Sequence, residues 1–173
     1  MDENVIAEGK KYASVGAYAI SPDHKQLAYA VDYTGYETYS VQIKDLQTGK
    51  LSDETIEETS GDINWGADNS VLFYTLMDEE HRPNELRMRV LGRGGGDSSS
   101  KEGDTSDVSI LKEDDALFWM GIGKTSSKRF LACELGSKET SEVHMIDLHG
   151  VSGAEAHVKA AKEIKCMSKR VKM

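Results

Sequence analysis

Ala19-Ile-Ser-Pro-Asp-His-Lys-Gln-Leu-Ala-Tyr-Ala30 returns 45 residues later as Asn64-Trp-Gly-Ala-Asp-Asn-Ser-Val-Leu-Phe-Tyr-Thr75. A weaker third copy is Ile122-Gly-Lys-Thr-Ser-Ser-Lys-Arg-Phe-Leu-Ala-Cys133. Each copy has an apolar or aromatic entry, a polar tight turn of Pro, Asp, Asn or Ser, and a short apolar run. Turn residues that hydrogen-bond their own backbone, flanked by β-formers, predict a β-hairpin. A further strand follows in each copy, at Tyr39 to Asp45, Glu85 to Leu91 and Ser141 to Asp147. Alternation in Tyr39-Ser-Val-Gln-Ile-Lys44 puts one face in and one face out. Asp45-Leu-Gln-Thr-Gly49 and Asp147-Leu-His-Gly150 close two of the copies. Glycine there supplies the positive φ that a tight turn requires.

Hairpin, third strand and glycine turn on a period of about 45 residues predict the four-stranded blade of a β-propeller. An unrelated run of meandering hairpins is the competing reading. The expected class is all-β, an incomplete propeller of two to three antiparallel blades with a short helical or disordered C-terminal tail. Residues 1–150 form the partial propeller. The Gly- and Ser-rich stretch from Leu91 to Thr105 has too little apolar side chain to repay ordering, and a flexible loop is expected over 93–107. Residues 151–173 read as a divergent basic tail, since Ala154 to Ile164 is rich in helix formers and lacks turn residues.

The chain has 173 residues, enough for one ordinary domain. Its net charge of −9 argues against a nucleic-acid partner, because replacing condensed counterions needs clustered Lys and Arg. The stretch from Lys159 to Met173 runs the other way, with six Lys or Arg against one Glu. It suits an acidic partner surface, although a short solvated terminus is the simpler reading. Cys133 and Cys166 make no disulfide framework, and neither has a second Cys or a His at a zinc-like spacing. Reduced thiols, no secretory leader and no membrane-length apolar run lead to the expectation of a soluble cytoplasmic protein.

Asp2-Glu-Asn4, Ala7-Glu-Gly9, Tyr12, Val15-Gly16, Ser21-Pro-Asp23 and Leu27-Ala-Tyr29 begin an ordered series. It continues through Asp32-Tyr33, Gly35-Tyr-Glu37, Thr59-Ser-Gly61, Trp65, Phe73-Tyr74, Asp78-Glu79, Arg82-Pro83 and Leu91-Gly92. Beyond the loop come Glu113-Asp-Asp115, Thr125, Ser127, Phe130-Leu131 and Thr140-Ser-Glu-Val143. Over about 150 residues this series resembles the N-terminal propeller of the prolyl oligopeptidase family of serine peptidases, in its oligopeptidase B (protease II) branch. The strand at Leu86-Arg-Met-Arg89 departs from the Trp-Arg-His-like pattern of that branch, and from Val151 the likeness is expected to stop. The resemblance implies a propeller that sits over a hydrolase active site and admits only short peptides, which the branch cleaves after Lys or Arg.

The 173 residues contain no G-x-S-x-G nucleophile elbow. Gly150-Val-Ser-Gly-Ala154 has its second glycine one place early. His24, His81, His144, His149 and His157 have no Ser or Cys nucleophile in a recognisable setting, and His24 and His144 read as surface positions. Gly121-Ile-Gly-Lys-Thr125 resembles the end of a phosphate-binding loop, but Phe118 stands where the first glycine belongs. Glu79-Glu80 and Asp114-Asp115 read as solvated loop acids. No catalytic, cofactor-binding or metal-ligating residue is assigned and no cofactor is expected. The chain is expected to be the inactive gating part of a peptidase, with short peptides as partners and self-association through exposed blade edges. The alternative is a stand-alone propeller-like interaction module.

Overall fold

The computed structural model describes residues 2–92 and 107–171. The loop expected over 93–107 lies, up to residue 106, outside the described residues. Helix α1 (Glu3–Ile6) precedes β1 (Ser14–Ile20), β2 (Gln26–Asp32), β3 (Tyr39–Asp45), β4 (Leu51–Trp65), β5 (Val71–Met77), β6 (Pro83–Val90) and β7 (Asp107–Lys112). After these come β8 (Trp119–Lys124), β9 (Phe130–Gly136), β10 (Ser141–Asp147), α2 (Ala154–Lys162) and β11 (Lys165–Ser168). All strand pairs are antiparallel neighbours, in a seven-stranded sheet β1 to β7 and a four-stranded sheet ordered β11-β10-β9-β8.

The larger sheet is two blades joined by one strand. The first part of β4 pairs with β3 from Leu51 to Thr59, and its last part pairs with β5 from Ile63 to Trp65. Between them the register shifts and Gly61 takes a φ of +99°. Its hydrogen-sized side group also clears the Tyr39 ring, which would lie 3.1 Å from an added Cβ. The first blade is therefore β1, β2, β3 and the start of β4; the second is the end of β4 with β5, β6 and β7. The third blade is β8 to β11.

The turns repeat with the strands. His24 and Lys128, at corresponding places in the hairpins of the first and third blades, both have φ near +60° (61° and 57°). At the opposite ends of the blades, Asp32, Asp78 and Ser137 each head the turn after the second strand and accept hydrogen bonds from the N–H groups beyond them. Gly49 and Gly150 have φ of 75° and 69°, as the glycine-turn reading requires.

Two apolar layers fill the spaces between blades. Ala28, Ala30, Val41, Ile43, Ile56, Ile63, Trp65, Leu72 and Tyr74 pack the first against the second. Val71, Phe73, Leu86, Met88 and Val90 of the second blade pack against Phe118, Met120, Leu131, Leu135 and Ile146 of the third. In β6 the period of two is clean: Asn84, Leu86, Met88 and Val90 are buried, while Glu85, Arg87 and Arg89 point away. The unusual Leu86-Arg-Met-Arg89 segment thus keeps the strand and supplies two core side chains.

The chain after Val151 does not leave the sheet. Helix α2 covers the end of the blade, and β11 then pairs with β10, Met145 opposite Lys165 and His144 opposite Cys166. The expected division at residue 150 runs through this blade, whose outer strand is too short and too polar to announce itself by alternation.

Candidate functional site

Of the potentially catalytic groups singled out in the sequence, Ser152, His157, Lys124 and His144 are held by contacts to other strands, turns or side chains. Ser152 and His157 come together with Asp68 and Ser70 from the turn between β4 and β5. This is the one Ser, His and Asp grouping among the described residues that resembles a hydrolytic set. Ser152 Oγ donates to Asp68 Oδ2 at 3.1 Å, and the Gly153 N–H donates to the same oxygen at 2.6 Å. Asp68 thereby caps α2, whose own N-cap residue is a glycine without a side chain. His157 is fully buried, accepts from the Ala67 N–H through Nε2 at 2.8 Å, and pairs through Nδ1 with the Gly153 carbonyl at 2.8 Å. A general base needs a ring nitrogen free to face its nucleophile; here Nε2 holds the Ala67 N–H, and Nδ1 holds the Gly153 carbonyl with the Ser70 hydroxyl 3.3 Å away, a hydroxyl that itself donates to Asp68. Partial burial works to raise the Asp68 carboxyl, but hydrogen bonds from Ser70 and Gly153 and the neighbouring His157 outweigh it and hold it down at about 2. The group is a clamp between two blades rather than reacting machinery.

On the opposite face a second clamp is built on Arg82, which is buried. Its Nε donates to Asp78 Oδ2 at 2.9 Å, one terminal nitrogen donates to the carbonyls of Asp115 and Phe118 at 2.9 Å each, and the other donates to the Glu113 carbonyl at 3.3 Å. A planar guanidinium with five N–H donors suits such a converging set of carbonyls, and a lysine would not. Asp78, Arg82 and Glu113, which the sequence pointed to only through the family resemblance, form one cluster with the backbone of Asp115. Arg170 extends it by stacking on the Phe118 ring at 3.9 Å, pairing with Glu113, and donating from Nε to Glu142 Oε2 at 3.0 Å. The acidic surface that this basic residue meets belongs to its own chain.

A cleft of about 850 Å³ opens where the hairpin turns of the first and third blades approach. Its rim carries His24, Lys124, Lys128, Arg129 and His149. Lys124 Nζ donates to the Gly66 carbonyl at 2.6 Å, and burial lowers its pKa. It therefore holds the β4 end and is not aimed at a phosphate; Gly121 to Lys124 is β-strand, not a loop of free amides. His24 is exposed as expected, and Glu79, Glu80, Asp114 and Asp115 are exposed loop acids. His144 differs from its surface reading: its side chain is 13% exposed and its Nε2 lies 2.5 Å from Glu142 Oε1. Cys166 joins these two, the three ligand atoms lying within 4.8 Å of one another. No helix among the described residues is long and apolar enough to cross a membrane.

Three successive antiparallel blades, tied by structural clamps, define a propeller-type module. The sequence model described as the prolyl oligopeptidase N-terminal beta-propeller domain matches residues 1–168. The chain belongs to the prolyl oligopeptidase family and forms part of its N-terminal propeller. It is 36% identical over 149 residues to Protease 2 of Moraxella lacunata, covering 85% of this chain and 20% of that protein. It is 33% identical over 143 residues to dipeptidyl aminopeptidase BI of Pseudoxanthomonas mexicana, covering 83% and 19%. Among solved structures, oligopeptidase B from Leishmania major superposes with a TM-score of 0.84 at 28% identity, over 99% of this chain and 22% of that one. The chain thus spans about a fifth of the length of these relatives. The likeness does not stop at Val151 as the sequence suggested: the family match continues to residue 168 and takes in α2 and β11.

Proposed function

We propose that these residues supply three consecutive blades of the propeller that gates access to a serine oligopeptidase active site, admitting short peptides and excluding long chains. The observation that carries this reading is the match to a peptidase propeller from residue 1 to residue 168, a range that takes in all three blades. The physical argument is steric. Blades held together by buried clamps on both faces form a stiff wall, and a stiff wall selects peptides by size without touching the reacting bond. The 173 residues hold no serine elbow and act in this reading only as the wall. Cleavage after Lys or Arg, and a cytoplasmic setting in which Cys133 and Cys166 stay reduced, complete the proposal.

A segment exchange tests it. Residues 1–168 replace the matching segment of Moraxella lacunata Protease 2, and the chimera is assayed on a blocked arginine substrate, a free-amine dipeptide substrate and an unfolded polypeptide. Retained turnover of a small substrate with the long chain spared is the expected result. A folded chimera that digests the long chain as fast as the short ones refutes the gating role. The 173-residue chain alone should show no turnover of any of the three.

A further inference from the structure

Glu142, His144 and Cys166 occupy one spot near the edge of the third blade. Glu142 and His144 are two apart on β10 and so share a face, and the register places Cys166 of β11 directly opposite His144. The sequence shows no metal-like spacing because His144 and Cys166 are 22 positions apart, with the whole of α2 between them. The sheet brings them together across one strand gap.

We propose that Glu142 Oε1, His144 Nε2 and Cys166 Sγ form a three-ligand site for a zinc-like divalent ion, with water in the fourth position. One soft sulfur, one imidazole nitrogen and one carboxylate oxygen are the donor types that zinc accepts, and three protein ligands with an open position is a recognised zinc arrangement. The separations fit. Bond lengths of about 2.0 to 2.3 Å place tetrahedral ligand atoms roughly 3.3 to 3.8 Å apart. The three atoms, none more than 4.8 Å from another and two of them 2.5 Å apart, bracket that spacing. The ion replaces the hydrogen bond between Glu142 and His144, and Cys166 gives its thiol proton to solvent on binding.

The surroundings support the ligands. Arg170 Nε holds Glu142 Oε2 at 3.0 Å and leaves Oε1 directed at His144, the kind of outer contact that fixes a ligating carboxylate. Both acidic ligands carry a negative charge when bound, so they offset the ion, and Arg170 is itself neutralised by Glu113. The Cys166 sulfur has only a 3.5 Å contact to the Ser168 carbonyl, which an incoming ion displaces at little cost. Cys133 stands on the other side of His144 in the same row but is buried in the apolar core, where burial and then Asp62 push its thiol up to about 12. It is an internal control. Bound metal would tie β11 to β10.

Cobalt(II) titration of the reduced full 173-residue chain tests the proposal, because a cobalt–thiolate bond gives a near-ultraviolet charge-transfer band. One equivalent of cobalt should develop the band, and zinc should abolish it by competition. Cys166→Ser should remove it, Cys133→Ser should keep it, and His144→Ala should weaken binding by about tenfold or more. Circular dichroism checks that each variant folds. If Cys166→Ser does not fold, alkylating the accessible Cys166 of the folded wild-type chain replaces it and should also remove the band. No band in the wild type, a band that survives loss or alkylation of Cys166, or binding unchanged in His144→Ala overturns the site.

Discussion

The two joints between blades are built differently. The first and second blades share a strand: β4 leaves one and enters the other through Gly61, and the space between them is filled by an apolar layer with separate single hydrogen bonds across it, from the Trp65 indole N–H to the Ala19 carbonyl at 2.9 Å, from Arg89 to the Thr55 carbonyl at 3.0 Å and from the Asp23 N–H to Asn69 at 3.4 Å. The second and third blades share no strand. They have a larger apolar layer and a polar clamp on each face, Arg82 on one and Asp68 with His157 on the other. Where the backbone itself fixes the geometry, apolar packing with isolated hydrogen bonds is found and no converging clamp. Where it does not, directional hydrogen bonds set the relative orientation, since apolar contact is non-directional.

That contrast is open to attack, most strongly at Arg82. Replacing it by Met leaves the Asp78 carboxylate without its ion pair and strips the guanidinium donors from the carbonyls of Glu113, Asp115 and Phe118, and should cost about 3 to 5 kcal/mol in urea unfolding. Gly66→Ala comes next. An added Cβ would lie 2.5 Å from a Val71 methyl and 2.6 Å from His157 Nε2, in a buried joint, so about 1 to 3 kcal/mol is expected. Gly16→Ala at the other joint meets the Tyr39 ring equally closely, but that ring is half-exposed and swings aside, so its smaller shift in urea midpoint tests the difference between the joints.

His157→Ala orphans the Ala67 N–H and should cost about 1 to 3 kcal/mol. It also removes one of the two groups that an alanine at position 66 would strike. The double variant should therefore be more stable than the sum of the single losses, which a double-mutant cycle measures. In acid, Asp68 should report the same clamp. Its carboxyl is depressed from 3.8 to about 2, so its contribution is complete above pH 4 and is lost as pH falls towards 2. Asp68→Asn should flatten that limb of the stability–pH curve and leave the curve's shape near neutrality unchanged. The smallest effect belongs to Arg129→Ala. Its pair with Asp147 is about half exposed, and no change in midpoint is expected beyond measurement error.

The blades were legible because their information is local. Turn residues at 21–25, 66–70 and 125–129 and apolar runs beside them specify hairpins without reference to anything distant. The clamps were not legible. Ala67 and His157 are 90 residues apart, and Arg82 and Phe118 are 36 apart, distances at which periodicity carries no signal. His144 looked like a surface residue because alternation on β10 identifies a face but not what packs there. Strand β11 was missed for a related reason: Lys165-Cys-Met-Ser168 is half polar, follows a helix, and becomes a strand only because β10 offers it an open edge. The resemblance picked out Arg82 and Glu113 without a reason; packing supplies one.

The detour through α2 has a consequence for local opening. Residues 148–164 cross the blade end and dock on the turn at 66–70 before the chain returns as β11, a short strand held in the sheet by β10 alone. Amides of Cys166 and Ser168 should then exchange with deuterium well ahead of those in β9, and a nick in the crossing would release the outer strand while the inner three stay folded.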